Sequence, residues 1–69
     1  MEAIVAERLL GTREILGTQW PIVTRVRRDQ RPGQRPQWVL ETLCNGACDR
    51  GETYRTRREA LRAFEGAEV

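Results

Sequence analysis

The most legible pattern lies near the C-terminus. Thr56-Arg57-Arg58-Glu59 has the form of a capping box: the Thr56 hydroxyl accepts from the Glu59 N–H while the Glu59 carboxylate reaches back. Behind it, Ala60, Leu61 and Phe64 recur at helical spacing, and Gly66 is a natural stop. This predicts a helix from Arg57 to Glu65. A helix this short is unstable alone, so its apolar stripe must dock on another element.

Upstream the period changes to two. In Pro21–Arg28, Ile22, Thr24 and Val26 share one face, and Val23, Arg25 and Arg27 share the other. Pro21 suits a strand start. Gln37–Cys44 alternates less regularly, with Trp38 and Leu40 opposite Val39, Glu41 and Leu43. Between these runs, residues 29–36 hold a Pro32-Gly33 turn. A third short strand near Glu52–Arg55 leads into the Thr56 cap. Residues 1–19 are ambiguous, because Ile4, Val5, Leu9 and Leu10 fit neither a narrow helical stripe nor clean alternation. The expectation is a helix over Glu2–Leu10 and an extended piece after Gly11, with a strand as the alternative.

The predicted architecture is therefore one small α+β domain over residues 1–69: an N-terminal segment (1–19), a three-stranded antiparallel sheet (20–55) and a C-terminal helix (56–66) packed on one face. Ile22, Val26, Trp38, Leu40, Tyr54, Leu61 and Phe64 should form the core. A chain of 69 residues buries little surface on folding, so its stability should be modest. It has no apolar run of membrane-spanning length and no signal-peptide pattern, which predicts a cytoplasmic protein.

Charge sharpens this picture. The formal net charge is +2, and all 12 basic residues are arginine. Residues 22–36 place Arg25, Arg27, Arg28, Arg31 and Arg35 against Asp29 alone, and residues 50–62 place five further arginines against Glu52 and Glu59. Two basic blocks on a nearly neutral chain imply a polarised surface. Arginine forms bidentate bonds to phosphates and guanine edges. Part of the arginine bias can also reflect a GC-rich genome.

The stretch Cys44-Asn45-Gly46-Ala47-Cys48 is the one candidate for thiol chemistry. Structural zinc needs four ligands, and two Cys with no His cannot supply them in one chain. Asn-Gly is a strong hairpin-turn signal, which argues against a redox motif at a helix start. Two buried thiols beside a turn are the main reading, with a disulfide between Cys44 and Cys48 as the alternative. The chain has no His and no Ser, and no motif gathers its carboxylates. No enzyme activity, cofactor, metal or small-molecule substrate is expected.

The run Gly51-Glu52-Thr53-Tyr54-Arg55-Thr56-Arg57-Arg58-Glu59-Ala60-Leu61-Arg62-Ala63-Phe64 resembles the end of the arm-type DNA-binding domain of phage tyrosine recombinases. The matching order is Tyr54, Thr56, Arg57, Arg58, Glu59 and Ala60, and the likeness spans at most residues 20–65. It departs in the Pro-Gly loop, in the Asn-Gly turn and in having Arg55 inserted. The resemblance implies a three-stranded sheet followed by a helix, with the sheet in the DNA major groove. That would put Arg25 and Arg27 on DNA.

The function expected from these features is a non-enzymatic binding module of phage or mobile-element type. It would contact duplex DNA through Arg25, Arg27, Arg28, Arg31 and Arg35. The alternative is a phage-encoded inhibitor of a host defence complex, similar to anti-CRISPR proteins, acting on a nucleoprotein complex by protein–protein binding. The Val23, Val39 and Leu43 positions on the Arg25 face suit an interface, unless the N-terminal segment covers them. The sequence also allows a dimer.

Overall fold

In the computed structural model, which describes residues 2–68, four strands and one helix follow in chain order: β1 (Glu2–Ile15), β2 (Thr18–Asp29), β3 (Gln37–Cys44), β4 (Ala47–Tyr54) and α1 (Arg57–Glu65). Each strand pairs antiparallel with the next, giving a meander of order β1-β2-β3-β4. The fold is α+β, as expected, but the sheet has four strands rather than three. The Cα trace measures 46 × 22 × 14 Å, so its thin dimension holds one sheet and one helix.

The extra strand is the N-terminal segment. No helix forms over Glu2–Leu10; this stretch belongs to a 14-residue edge strand. Its register against β2 slips between Ile4 and Ala6 and again between Leu9 and Gly11. Each slip leaves one residue, Val5 or Leu10, without a counterpart, and so resets the alternation. Hydrophobic pairs at Ile4-Val5 and Leu9-Leu10 are therefore two bulges, not a blurred helical stripe. Because the segment lies beside β2, it does not cover the Arg25 face.

Two hairpins close with two-residue turns. Asn45 and Gly46 have φ of 52° and 82°, and Leu16 and Gly17 have 49° and 81°. Positive φ at both central positions is the type I′ geometry, which matches strand twist. Asn-Gly tolerates it readily; Leu16 does not, and its side chain is fully exposed. The β1–β2 hairpin also outruns its neighbours. β2 meets β3 only from Ile22 onward, so Thr18–Pro21 pairs with β1 alone. Pro21 sits where the β3 ladder ends. Its carbonyl takes one last bond from the Asn45 N–H, at 3.0 Å, and no further N–H is needed on that side.

The helix matches its predicted bounds. Thr56 is the N-cap: its hydroxyl oxygen accepts from the Glu59 N–H at 3.2 Å. The Glu59 carboxylate accepts from the Thr56 hydroxyl at 3.0 Å instead of reaching the backbone. α1 lies across β2, β3 and β4. Ala60 fits flush on the sheet, and beneath the helix Ile22, Thr24 and Val26 are all but sealed from solvent. Of the expected core, Ile22 and Val26 are buried, whereas Trp38, Leu40, Tyr54, Leu61 and Phe64 are half-buried around the helix margin. Leu43 is buried too, on the opposite face. Arg8 anchors the far end of the helix. Its guanidinium donates to the carbonyls of Phe64 (3.0 Å), Glu65 (3.3 Å) and Ala67 (2.9 Å) and lies 5.2 Å from the Phe64 ring centroid. A cation there satisfies orphan carbonyls and complements the helix dipole.

Two substitutions test these packing arguments. Thr24 carries a buried hydroxyl with no hydrogen-bond partner among the described residues. Thr24→Val should raise unfolding free energy by about 1 kcal/mol, since an unsatisfied buried polar group costs about that much or more; denaturant midpoints measure it. Leu16→Asn should add about 0.5–1 kcal/mol by relieving the positive-φ position at no loss of buried area, read in the same titrations.

Candidate nucleic-acid interface

The sheet's two faces follow from the register. The rung Arg8–Thr24–Thr42–Arg50 lies on the helix side, and so do Arg28, Trp38 and Tyr54. The rung Glu7–Arg25–Glu41–Gly51 lies on the other side, which no element covers. The five expected site arginines are thereby divided.

Arg25 and Arg27 do share a face, as the alternation predicts. They do not point free guanidiniums at a ligand. Glu41 stands between them on β3, and its two carboxylate oxygens each accept from one arginine Nε at 2.8 Å. Glu41 is 8% exposed. Burial alone would push its carboxyl up, but the hydrogen bonds and charges of Arg27 and Arg25 outweigh it and hold the carboxyl below its ordinary value. This trio is a charge-assisted cross-strand network with its cations committed to Glu41.

Arg28 points to the helix side and donates to Gln30 Oε1 at 2.9 Å. Gln30 in turn donates to the Gln34 carbonyl at 2.7 Å, which braces the β2–β3 loop. Arg31 is 3.7 Å from Asp29, with 72% of its side chain exposed, so that pair is weak. Arg35 is exposed, has no hydrogen bond or ion pair among the described residues, and lines a shallow cleft with Gln34, Pro36, Gln37 and Arg55.

The unpaired cations gather in the second basic block. Arg58 and Arg62 lie on the outward arc of α1 and, with Arg57 of its first turn, line a groove with Leu61 and Glu65. All three are exposed and, among the described residues, form no ion pair or hydrogen bond through their side chains. Arg57 and Arg58 stand in the first turn, where a cation opposes the helix dipole by about 0.3–1 kcal/mol each. Arg55 directly precedes the cap, so the cleft by Arg35 adjoins the helix arc. At about 100° per residue, positions 58 and 62 fall on one side of the helix, a signal present in the sequence, whereas position 57 lines up with Leu61 and Phe64.

Cys44 and Cys48 are both free thiols, but Cys44 is only half-buried and Cys48 is exposed, so the expected pair of buried thiols is not formed. Cys44 pairs across the turn with Ala47, and Cys48 pairs with Leu43. Side chains alternate along a strand, so in this register the two-residue turn sets the thiols on opposite faces of the sheet, and both are free. Among the described residues, no helix is long and apolar enough to cross a membrane.

No protein-family model matches the chain, and no curated protein and no solved structure matches it.

The Glu41 network has a pH signature. Its folded pKa lies below the ordinary 4.5, so its contribution is complete above pH 4.5 and fades as pH falls through the lower, folded value. Glu41→Gln should cost about 2 kcal/mol near neutral pH, the scale of lost charge-assisted hydrogen bonds. The stability gap between variant and wild type should narrow as the pH falls well below 4.5. Urea unfolding across that range checks both; a gap independent of pH contradicts the assignment.

Proposed function

We propose that the chain is a non-enzymatic binding module for duplex DNA that acts through its free arginines: Arg35 and Arg55 at the loop end, and Arg57, Arg58 and Arg62 on the helix. The observation that carries this reading is the sorting of cations. Arg25 and Arg27 of the central sheet are both tied to Glu41, whereas those of the helix arc and adjoining cleft have no acidic partner among the described residues. Guanidiniums kept free at a cost to helix stability suit an external anion, and phosphates are the polyanion that arginine binds best. The sheet-then-helix order is the one the resemblance to arm-type recombinase domains implies, with four strands in place of three. Arg25 and Arg27 serve as scaffold in this reading, while Arg28 and Arg31 flank the surface. The setting is cytoplasmic, of phage or mobile-element origin.

Fluorescence anisotropy with a short duplex at several salt concentrations tests it. Five phosphate contacts would give a log–log salt slope of about −4.5. Changing Arg57, Arg58 and Arg62 together to Ala should weaken binding and make the slope shallower by about 3, and Ala preserves the helix. Changing Arg25 and Arg27 to Ala should leave the slope unaltered in protein that remains folded. Absence of salt-dependent binding by the wild type, or indifference to the helix triple variant, sinks the reading.

One observation favours the rival, a phage-encoded inhibitor of a host defence complex. Leu16 is fully exposed at the tip of a hairpin that projects beyond β3 and β4. That is the shape of an anchor for an apolar protein pocket. A stoichiometric protein partner released by Leu16→Asn, with no duplex binding, would decide for it.

A further inference from the structure

The uncovered sheet face carries an ordered pattern that the DNA reading does not use. Along one rung, Leu9, Val23, Leu43 and Cys48 stand side by side across all four strands. The next rung is Glu7, Arg25, Glu41 and Gly51. Leu9 is 64% exposed, and Ile4, farther along β1 on the same face, is 60% exposed. The exposed apolar side chains are thus at the sheet's edge, Leu9 and Ile4 on β1, with the exposed Cys48 thiol on β4, while Val23 and Leu43 between them are half-buried and buried.

We propose that this face is a homodimer interface, with a second copy of the chain stacked on it about a two-fold axis parallel to the strands and passing between β2 and β3. The argument is self-complementarity. Such an axis lays β1 over the partner copy's β4 and β2 over its β3, and keeps every rung in place. The apolar row then meets itself, Leu9 over Cys48 and Val23 over Leu43. In the charged rung, Arg25 of each copy faces Glu41 of the other. The trio bonded within one chain becomes a closed array of alternating charge, dehydrated between sheets about 10 Å apart. An axis across the strands would not bring Arg25 over Glu41. Other occupants fit less well. The N-terminal segment is committed to the sheet edge. A polyanion meets a face whose Glu7 and Glu41 balance Arg25 and Arg27. The shared ladder of eight β2–β3 pairs is about 27 Å long and the sheet about 19 Å wide. That footprint of about 500 Å² in plan suits a dimer at the small end of specific interfaces, one that dissociates on dilution.

The test uses the native Cys48. In one chain, Leu9 and Cys48 lie on opposite edge strands, about 14 Å apart across three strand spacings, too far for an intramolecular bridge. Leu9→Cys combined with Cys44→Ser should therefore be joined into a covalent dimer by a short bis-maleimide, which spans the gap between stacked sheets that a direct disulfide cannot, and Cys44→Ser alone should not. Sedimentation equilibrium of the wild type should show a concentration-dependent rise from 8.0 kDa towards twice that mass. Leu9→Glu, at a site exposed enough to leave the monomer folded by circular dichroism, should weaken association at least about tenfold. A mass of one chain at every concentration overturns the proposal. So does a dimer that fails to cross-link through Leu9→Cys or ignores Leu9→Glu. None of these results depends on whether the helix arginines bind DNA.

Discussion

The docking of a nine-residue helix on the Ile22–Thr24–Val26 row is the contact on which the structure depends. A helix of that length cannot stand alone, and a sheet of this size has no other lid. Close approach is made by Ala60, whose small side chain lets the helix backbone sit low over β2 and β3. Thr56 fixes where the helix starts, and Arg8, reaching from the edge strand, fixes where it ends. β1 thus contributes to the core indirectly. It supplies few buried side chains, but it holds the cation that ties the last turn of α1 to the sheet.

That single contact determines how charge is distributed. Once the helix occupies one face, the arginines of β2 are left on the other or at its margin, where acidic and polar neighbours are within reach. Arg25 and Arg27 close on Glu41, Arg28 on Gln30, Arg31 on Asp29, and Arg13 of β1 lies 3.7 Å from Asp49 of β4. The helix presents Ala60 and Phe64 to the sheet, so Arg58 and Arg62 face out, and Arg57, in line with Leu61, is exposed at the open first turn. Arginine pairing therefore changes along the chain: those up to Arg31 have partners, and those after it do not among the described residues.

What the sequence disclosed follows the range of the interactions involved. The helix was legible to the residue because its cap, stripe and stop are local. The Ile22–Val26 strand was legible because alternation is local too. β1 was not, because bulges at Val5 and Leu10 are register events, defined only against β2. The Cys44–Cys48 question was also one of register: knowing that the turn holds two residues is enough to place the thiols on opposite faces. For the arginines, the sequence located the cations and the shared face of Arg25 and Arg27. It did not show that one carboxylate would take both, since that needs the β2–β3 register.

The two proposed surfaces constrain each other. The helix and the open face lie on opposite sides of one sheet, so a face-to-face dimer turns its two helices outward. With sheets about 10 Å apart and each helix adding about 10–12 Å, the arginine arcs lie about 30 Å apart and face away from one another. A symmetric dimer of a helix-turn-helix kind directs both reading elements to one side of a duplex. This arrangement cannot do so: each arc would meet a separate duplex, or a separate segment of one bent duplex. Occupancy of the two functions together thus implies bridging of DNA, whereas a monomer would coat it. The orientation of the helix, set by the Ala60 contact and the Arg8 anchor, is what separates those outcomes.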